Sequence, residues 1–227
     1  MRSQSVVSLD PIDRTRKKQD SVISRLFKTR HYGGKGLLRT DEIGHYLFVG
    51  KQRSGKTVSA IWFMEKLVKK YRRRGKTIFV YSNMGFGASV RKDNLHELIC
   101  NIEYDKDVIH IFIVDEIQSY FPKDTKNRNI LDLIDQLTGD FSQLAKKNIY
   151  VLSTAQVYGR LNKNLREQCL YMVDCRRSRI TSKTVNDFIA GDDVICDDLG
   201  RWSGIPKFIY THGLPVTSFD THRMIKF

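Results

Sequence analysis

Residues 50–57 read Gly50-Lys51-Gln52-Arg53-Ser54-Gly55-Lys56-Thr57 and match G-x-x-x-x-G-K-[ST] at every fixed position. Gly50 and Gly55 let the backbone turn tightly enough to aim its N–H groups at phosphate oxygens. Lys51, Gln52, Arg53 and Ser54 span the turn and supply those amides. Lys56 places a point charge on the β- and γ-phosphates of a nucleotide, and the Thr57 hydroxyl reaches Mg²⁺. The helix that begins here adds its positive N-terminal end. His45 to Val49 (HYLFV) precedes the loop as an apolar strand, and helical spacing follows it. The octet therefore sits in the strand–loop–helix context that its chemistry requires.

Outward from this loop, short apolar strands alternate with amphipathic helices. The spacing predicts a helix over 58–74, with Ile61, Met64, Leu67, Val68 and Tyr71 on one face and Gly75 as its stop. Strands are expected at Thr77–Tyr81, Ile109–Val114, Ile149–Ser153 and Leu170–Asp174. Helices are expected at 94–100 and 129–147, and a short one before Leu170. Alternation of this kind predicts an α/β fold whose mostly parallel sheet carries helices on both faces.

Ile111-Phe112-Ile113-Val114-Asp115-Glu116 ends a buried strand in two carboxylates. Asp115 is placed to hold the Mg²⁺ shell near Thr57. Glu116 is placed to orient and polarise an attacking water. A small-molecule kinase has no use for such a base, because its acceptor is the nucleophile. Tyr150-Val151-Leu152-Ser153-Thr154-Ala155-Gln156 is a third buried strand with a polar end. In a parallel sheet all carboxyl ends share one edge, so Gln156 is expected to face the γ-phosphate and sense it. Arg160, Arg166, Arg176, Arg177 and Arg179 follow. Arg166 is the first candidate for a finger that crosses to a neighbouring subunit, and Arg176 the second.

The chain has 227 residues with 39 Lys and Arg against 25 Asp and Glu, a net charge of +14. That excess points to a polyanionic partner. Residues 1–40 carry ten Lys/Arg and three Asp, half of the net charge, and read as a basic arm. Residues 41–215 form the expected nucleotide-binding domain and 216–227 a tail. The longest apolar run, Val108 to Val114, is far short of the roughly 20 residues of a membrane span. The four cysteines form no CxxC pair and are expected to be reduced.

GKQRSGKT, FIVDEIQSYFP, a long helix and IYVLSTAQVYGRLNKNLREQ together resemble the HerA/FtsK superfamily of ring-shaped DNA pumps, over about residues 45–176. The short layout is similar to its viral branch, the genome-packaging ATPases, and also to the phage assembly ATPases related to zonula occludens toxin. The resemblance implies a RecA-like P-loop NTPase with ATP and Mg²⁺ as cofactors. It implies double-stranded DNA as substrate, a hexamer-like homo-oligomeric ring, capsid or portal vertex proteins as partners, and work in the host cytoplasm or at the virion's packaging vertex. Lys56 and Thr57 would bind nucleotide and Mg²⁺, Asp115 the metal, Glu116 the water and Gln156 the γ-phosphate, with Arg166 reaching across an interface. The family also has an extra strand between the phosphate-loop strand and the Asp-Glu strand, a place that the strand ending near Ser153 would fill. The zonula occludens-like proteins usually carry a membrane helix after the ATPase domain and cellular members carry large extra domains; neither is seen in this sequence, two departures that are expected to favour the packaging branch. Export of single-stranded DNA, a slow nucleotide-gated DNA-binding protein and a small-molecule kinase are the alternatives.

Four further signals are weaker. Seven Lys/Arg between Lys66 and Lys76 either complement a helix dipole or bind phosphate. His96-Glu97-Leu98-Ile99-Cys100 resembles H-E-x-x-H but lacks a third ligand. Asp192, Asp193, Asp197 and Asp198 read as a solvated acidic loop. Residues 81–87, with Gly85 and Gly87, suit a loop that touches DNA.

Overall fold

The computed structural model describes residues 30–33, 42–178, 183–197 and 199–214. Most of the basic arm, the tail and Arg179 therefore lie outside the described residues. Nine strands form one sheet: β1 (Arg30–Gly33), β2 (His45–Val49), β3 (Thr77–Ser82), β4 (Ala88–Ser89), β5 (Val108–Val114), β6 (Ile149–Ala155), β7 (Cys169–Arg177), β8 (Thr184–Ala190) and β11 (Pro206–His212). Their order is β1-β11-β8-β7-β2-β6-β5-β3-β4. Only β8 runs against the others among these nine strands. β6 stands between β2 and β5, as the resemblance implies. Two short strands, β9 (Ile195–Cys196) and β10 (Trp202–Ser203), pair separately.

The sheet is covered on both faces because its central strands are apolar throughout. Tyr46, Phe48, Ile111, Ile113, Tyr150 and Leu152 face α1 (Lys56–Arg72), whose Ala60, Ile61, Phe63 and Leu67 are fully buried against them. Tyr46 and Phe63 meet at 4.8 Å between ring centroids. Each such side chain contributes roughly 1.5–3 kcal/mol by leaving water. Leu47, Val49, Phe112, Val114 and Val151 alternate to the other face. There they meet α2 (Leu95–Cys100), α3 (Ile117–Tyr120), α4 (Arg128–Ser142) and α5 (Lys163–Glu167).

Three readings of the sequence change in detail. The helix expected over 129–147 ends at Ser142, and a 3₁₀ turn over Leu144–Lys147 continues its apolar spacing to a left-handed Asn148. Over four residues, periods of 3.0 and 3.6 cannot be told apart. Residues 30–33, placed in the arm, form a strand of the sheet. β8 and β11 extend the sheet beyond Asp174, and β8 escapes a periodicity reading because Asn186 and Asp187 interrupt its apolar residues. Asn186 lies buried, linked to Ser59 at 2.8 Å and His212 at 3.0 Å.

His45 is buried at the start of β2, edge-on to Phe141 at 4.8 Å and with Nε2 2.6 Å from Ser153 Oγ. Burial pushes its pKa down from 6.5 to about 3. The unfolded chain takes up this proton near pH 6.5, whereas the fold refuses it until about pH 3. Its contribution is therefore complete above pH 6.5 and is lost as pH falls, by about 2 kcal/mol between pH 7 and 5. Asp174 acts oppositely, because burial lifts its carboxyl to about 6. Urea midpoints of wild type and His45→Gln at pH 7 and 5 separate the two. The wild type is expected to lose about 2 kcal/mol more than the variant on acidification, and equal losses would refute the assignment.

Candidate nucleotide and metal site

The loop leaving β2 is shaped by its two glycines. Gly50 has φ +149°, and a Cβ there would fall 2.5 Å from Ser54 Oγ and 2.7 Å from the Cys175 carbonyl. At Gly55, φ +94°, a Cβ would fall 2.9 Å from Thr184 Oγ1. Both positions therefore exclude a side chain. Gly55 also serves as the N-cap of α1, so no side chain satisfies the first N–H groups of that helix, and its first turn carries no acid. Those amides remain available to an external acceptor. Ser54 Oγ is buried without a hydrogen-bond partner inside the same cradle. Lys56 Nζ folds back to the Lys51 carbonyl at 3.2 Å. Burial lowers the Lys56 pKa, and the negative charges of Asp115 and Glu116 oppose that shift. An uncapped helix start, an orphaned hydroxyl and a desolvated ammonium together fit a polyphosphate.

Beside the loop, Asp115 Oδ1 accepts hydrogen bonds from Thr57 Oγ1 at 2.9 Å and Thr154 Oγ1 at 2.6 Å. Burial raises the Asp115 pKa, while the hydrogen bonds from Thr154 and Thr57 hold it down. Two hard oxygens, from Thr57 and Asp115, thus meet next to the cradle, a donor set that fits Mg²⁺. Glu116 occupies the left-handed region at φ +52°, which turns its side chain off the strand direction. Its N–H donates to Thr154 Oγ1 at 2.9 Å, and its Oε1 accepts from Gln156 Nε2 at 2.9 Å. The resulting arrangement can cradle an anion, hold a divalent cation and present a carboxylate base.

The structure thus brings together Lys56, Thr57, Asp115, Glu116 and Gln156. The arginines stand differently. Arg166, on α5, lies over the Tyr158 ring at 5.1 Å and donates to Cys196 Sγ at 3.1 Å, so it ties together parts of its own subunit. Arg176, at the exposed end of β7, pairs with Asp174 at 3.5 Å and with Asp187. His96 is bound to Asp140 at 2.6 Å. Among the described residues no group of three His, Cys, Asp or Glu side chains could hold a metal, and no helix is long and apolar enough to cross a membrane.

Two residues of the site escape motif reading. Thr154 bridges Asp115 and the Glu116 amide, as above. Asn83, directly after β3, accepts from the Asp115 N–H at 2.9 Å and donates to its carbonyl at 3.0 Å and to Tyr120 Oη at 3.2 Å. Its side chain extends the β3–β5 ladder by one rung and fixes the peptide from which Asp115 and Glu116 project. The available signal was positional: Ser82 pairs with Ile113, so the next polar residue falls beside the acids. Asn83→Ala is expected to lower kcat for nucleotide hydrolysis about tenfold with KM nearly unchanged, since it acts on the base and not on the cradle. A rise in KM alone would contradict that role.

The N-terminal domain of zonular occludens toxin from Neisseria meningitidis is similar in structure, with a TM-score of 0.51 at 18% identity over 77% of this chain and 96% of that one. The RadB recombinase aligns at 0.47 with 13% identity, over 79% and 96% of the two chains. The genome packaging NTPase B204 from Sulfolobus turreted icosahedral virus 2, in complex with AMP, aligns at 0.44 with 9% identity, over 73% and 98%. No family model matches the sequence. No curated protein matches it either. The fold is the RecA-like P-loop NTPase fold, a mostly parallel sheet with helices on both faces.

Proposed function

We propose that the protein is an ATP-hydrolysing translocase that works as a homo-oligomeric ring and moves double-stranded viral DNA into a preformed capsid. The observation that carries this reading is Glu116, a carboxylate held by Gln156 one residue after the Asp115 that meets Thr57. A base at that place serves attack by water.

The loop amides from Gly50 to Lys56 bind the phosphates, and the Lys56 ammonium neutralises charge on them. Thr57 and Asp115 would hold Mg²⁺, which would offset the negative charge that develops on the phosphates. Glu116 takes the proton of the attacking water. Gln156 positions Glu116 and, with a γ-phosphate present, exchanges that hydrogen bond for one to phosphate. Both arginines have partners inside their own subunit, Arg166 in Tyr158 and Cys196 and Arg176 in Asp174 and Asp187, and Arg176, at the exposed end of β7, is the better placed to complete a neighbour's site. The net charge of +14 grips DNA phosphates without reading bases. Such a motor acts in the host cytoplasm at the packaging vertex, where capsid or portal proteins are its partners.

Displacement of a triplex-forming oligonucleotide from linear duplex DNA tests translocation. ATP-dependent displacement is expected, and ATP hydrolysis without displacement would reduce the protein to a DNA-binding NTPase. Activity on single strands alone would assign it to strand export.

A further inference from the structure

Two surfaces on opposite faces of the sheet remain unused by the nucleotide site. The first is a groove of about 1200 Å³ along the outer side of α1. Five cations and one acid line it, and Val68 and Val80 contribute apolar walls. Trp62, Lys66, Lys69 and Arg73 form one stripe at spacings of 4, 3 and 4. Burial and the neighbouring Lys69 charge depress the Lys66 pKa, so the cations crowd one another.

The second is a knob formed by residues 191–197 and 199–203, on the face away from α1. Its inner side is anchored: Val194, Cys196 and Trp202 pack on the core beneath α4 and α5. Arg166 bonds Cys196, and Gly159 lies so close to Gly200 that a Cβ on it would fall 2.2 Å from the Gly200 Cα, while Gly200 itself sits at φ +77°. Its outer side bears Ile195 and Leu199, 73% and 77% exposed. Asp192, Asp193 and Asp197 are exposed around them, with Arg201 paired to Asp197. A single exposed aliphatic side chain needs no explanation. Two of them on one anchored loop, rimmed by acids, do.

Groove and knob are complementary in both charge and polarity. Because they face opposite ways, one copy's knob meets the next copy's groove head to tail, the kind of contact from which a ring is built when its rotation closes. Nucleic acid is the poorer occupant. A phosphate backbone offers nothing to the apolar walls, and Trp62 is buried and already stacked on His212 at 4.3 Å, so it is closed to bases. We infer that subunits of the ring join through these surfaces, with Ile195 and Leu199 of one copy seated in the α1 groove of the next and its aspartates on Lys69, Arg72 and Arg73. This rests on the ring-forming reading above.

Sedimentation with a non-hydrolysable ATP analogue tests it on three proteins. Wild type is expected to form an assembly larger than a dimer that dissociates as salt rises. A groove variant, Lys69→Ser/Arg72→Ser/Arg73→Ser, and a knob variant, Ile195→Ser/Leu199→Ser, are each expected to remain monomeric. All five side chains are exposed, so melting temperatures near that of wild type are expected, and Asp192→Ser/Asp193→Ser provides a second knob variant. The decisive arm is the equimolar mixture. The groove variant keeps its knob and the knob variant keeps its groove, so the mixture is expected to stop at a heterodimer, twice the monomer mass. Variants that assemble like wild type would overturn the assigned surfaces and leave the ring reading standing. A wild type that stays monomeric with nucleotide would overturn both. A groove variant that assembles normally but loses duplex binding would make the groove a nucleic-acid surface and overturn the proposal.

Discussion

Glu116→Gln is expected to lower steady-state ATP turnover by at least about 10²-fold while nucleotide affinity stays within a few-fold of wild type. The substitution keeps the side chain's length and its place beside Gln156 Nε2, 2.9 Å away in the native protein. It leaves Asp115, Thr57 and Thr154 and their shared hydrogen bonds untouched. What it removes is the proton acceptor. Loss of a general base typically costs 10²–10⁴-fold, and here binding and chemistry are carried by different residues, so kcat should bear nearly all of the loss. Turnover by a phosphate-release assay and affinity by titration of a fluorescent nucleotide separate the two. A variant that hydrolyses at the wild-type rate would remove Glu116 from the chemistry.

Lys56→Ala is expected to weaken ATP binding by roughly 30-fold to several thousand-fold, the equivalent of about 2–5 kcal/mol for a buried charge pair that loses one partner. The effect on the empty protein should be opposite in sense. Lys56 is buried with its ammonium on a backbone carbonyl, and its pKa is lowered because burial disfavours its charge. Removing it relieves that desolvation. The nucleotide-free variant should therefore melt no lower than wild type, whereas the upward shift that ATP gives the wild type should disappear. A lower melting temperature without nucleotide, with the shift retained, would mean that Lys56 serves the fold and not the ligand.

The site divides sharply into what local sequence shows and what only the fold supplies. The cradle was legible because each element of GKQRSGKT is adjacent in the chain: the turn, the charge and the helix start need no distant partner. Asp115 and Glu116 were legible because the strand before them is apolar enough to be recognised. Asn83 and Thr154 were not, since each acts through a strand that is a neighbour in the sheet but 32 and 39 residues away from Asp115 in sequence. The arginines show the converse. Their spacing offered several candidates, and only tertiary contacts reveal that Arg166 is bound to Tyr158 and Cys196. The fold follows the same rule. The parallel strands β2, β3, β5, β6 and most of β7 show in apolar runs, whereas β8 hides because its buried Asn186 is satisfied by Ser59 and His212, residues on other elements.

The most direct measurement is ATP hydrolysis by the full chain with and without long double-stranded DNA, with Glu116→Gln as the blank. The expected result is strong stimulation by duplex DNA that fades as salt rises, with a log–log binding slope of about 0.9 per neutralised phosphate, and no activity in the variant. Hydrolysis that ignores every form of DNA would contradict the motor and leave the +14 charge to serve another partner.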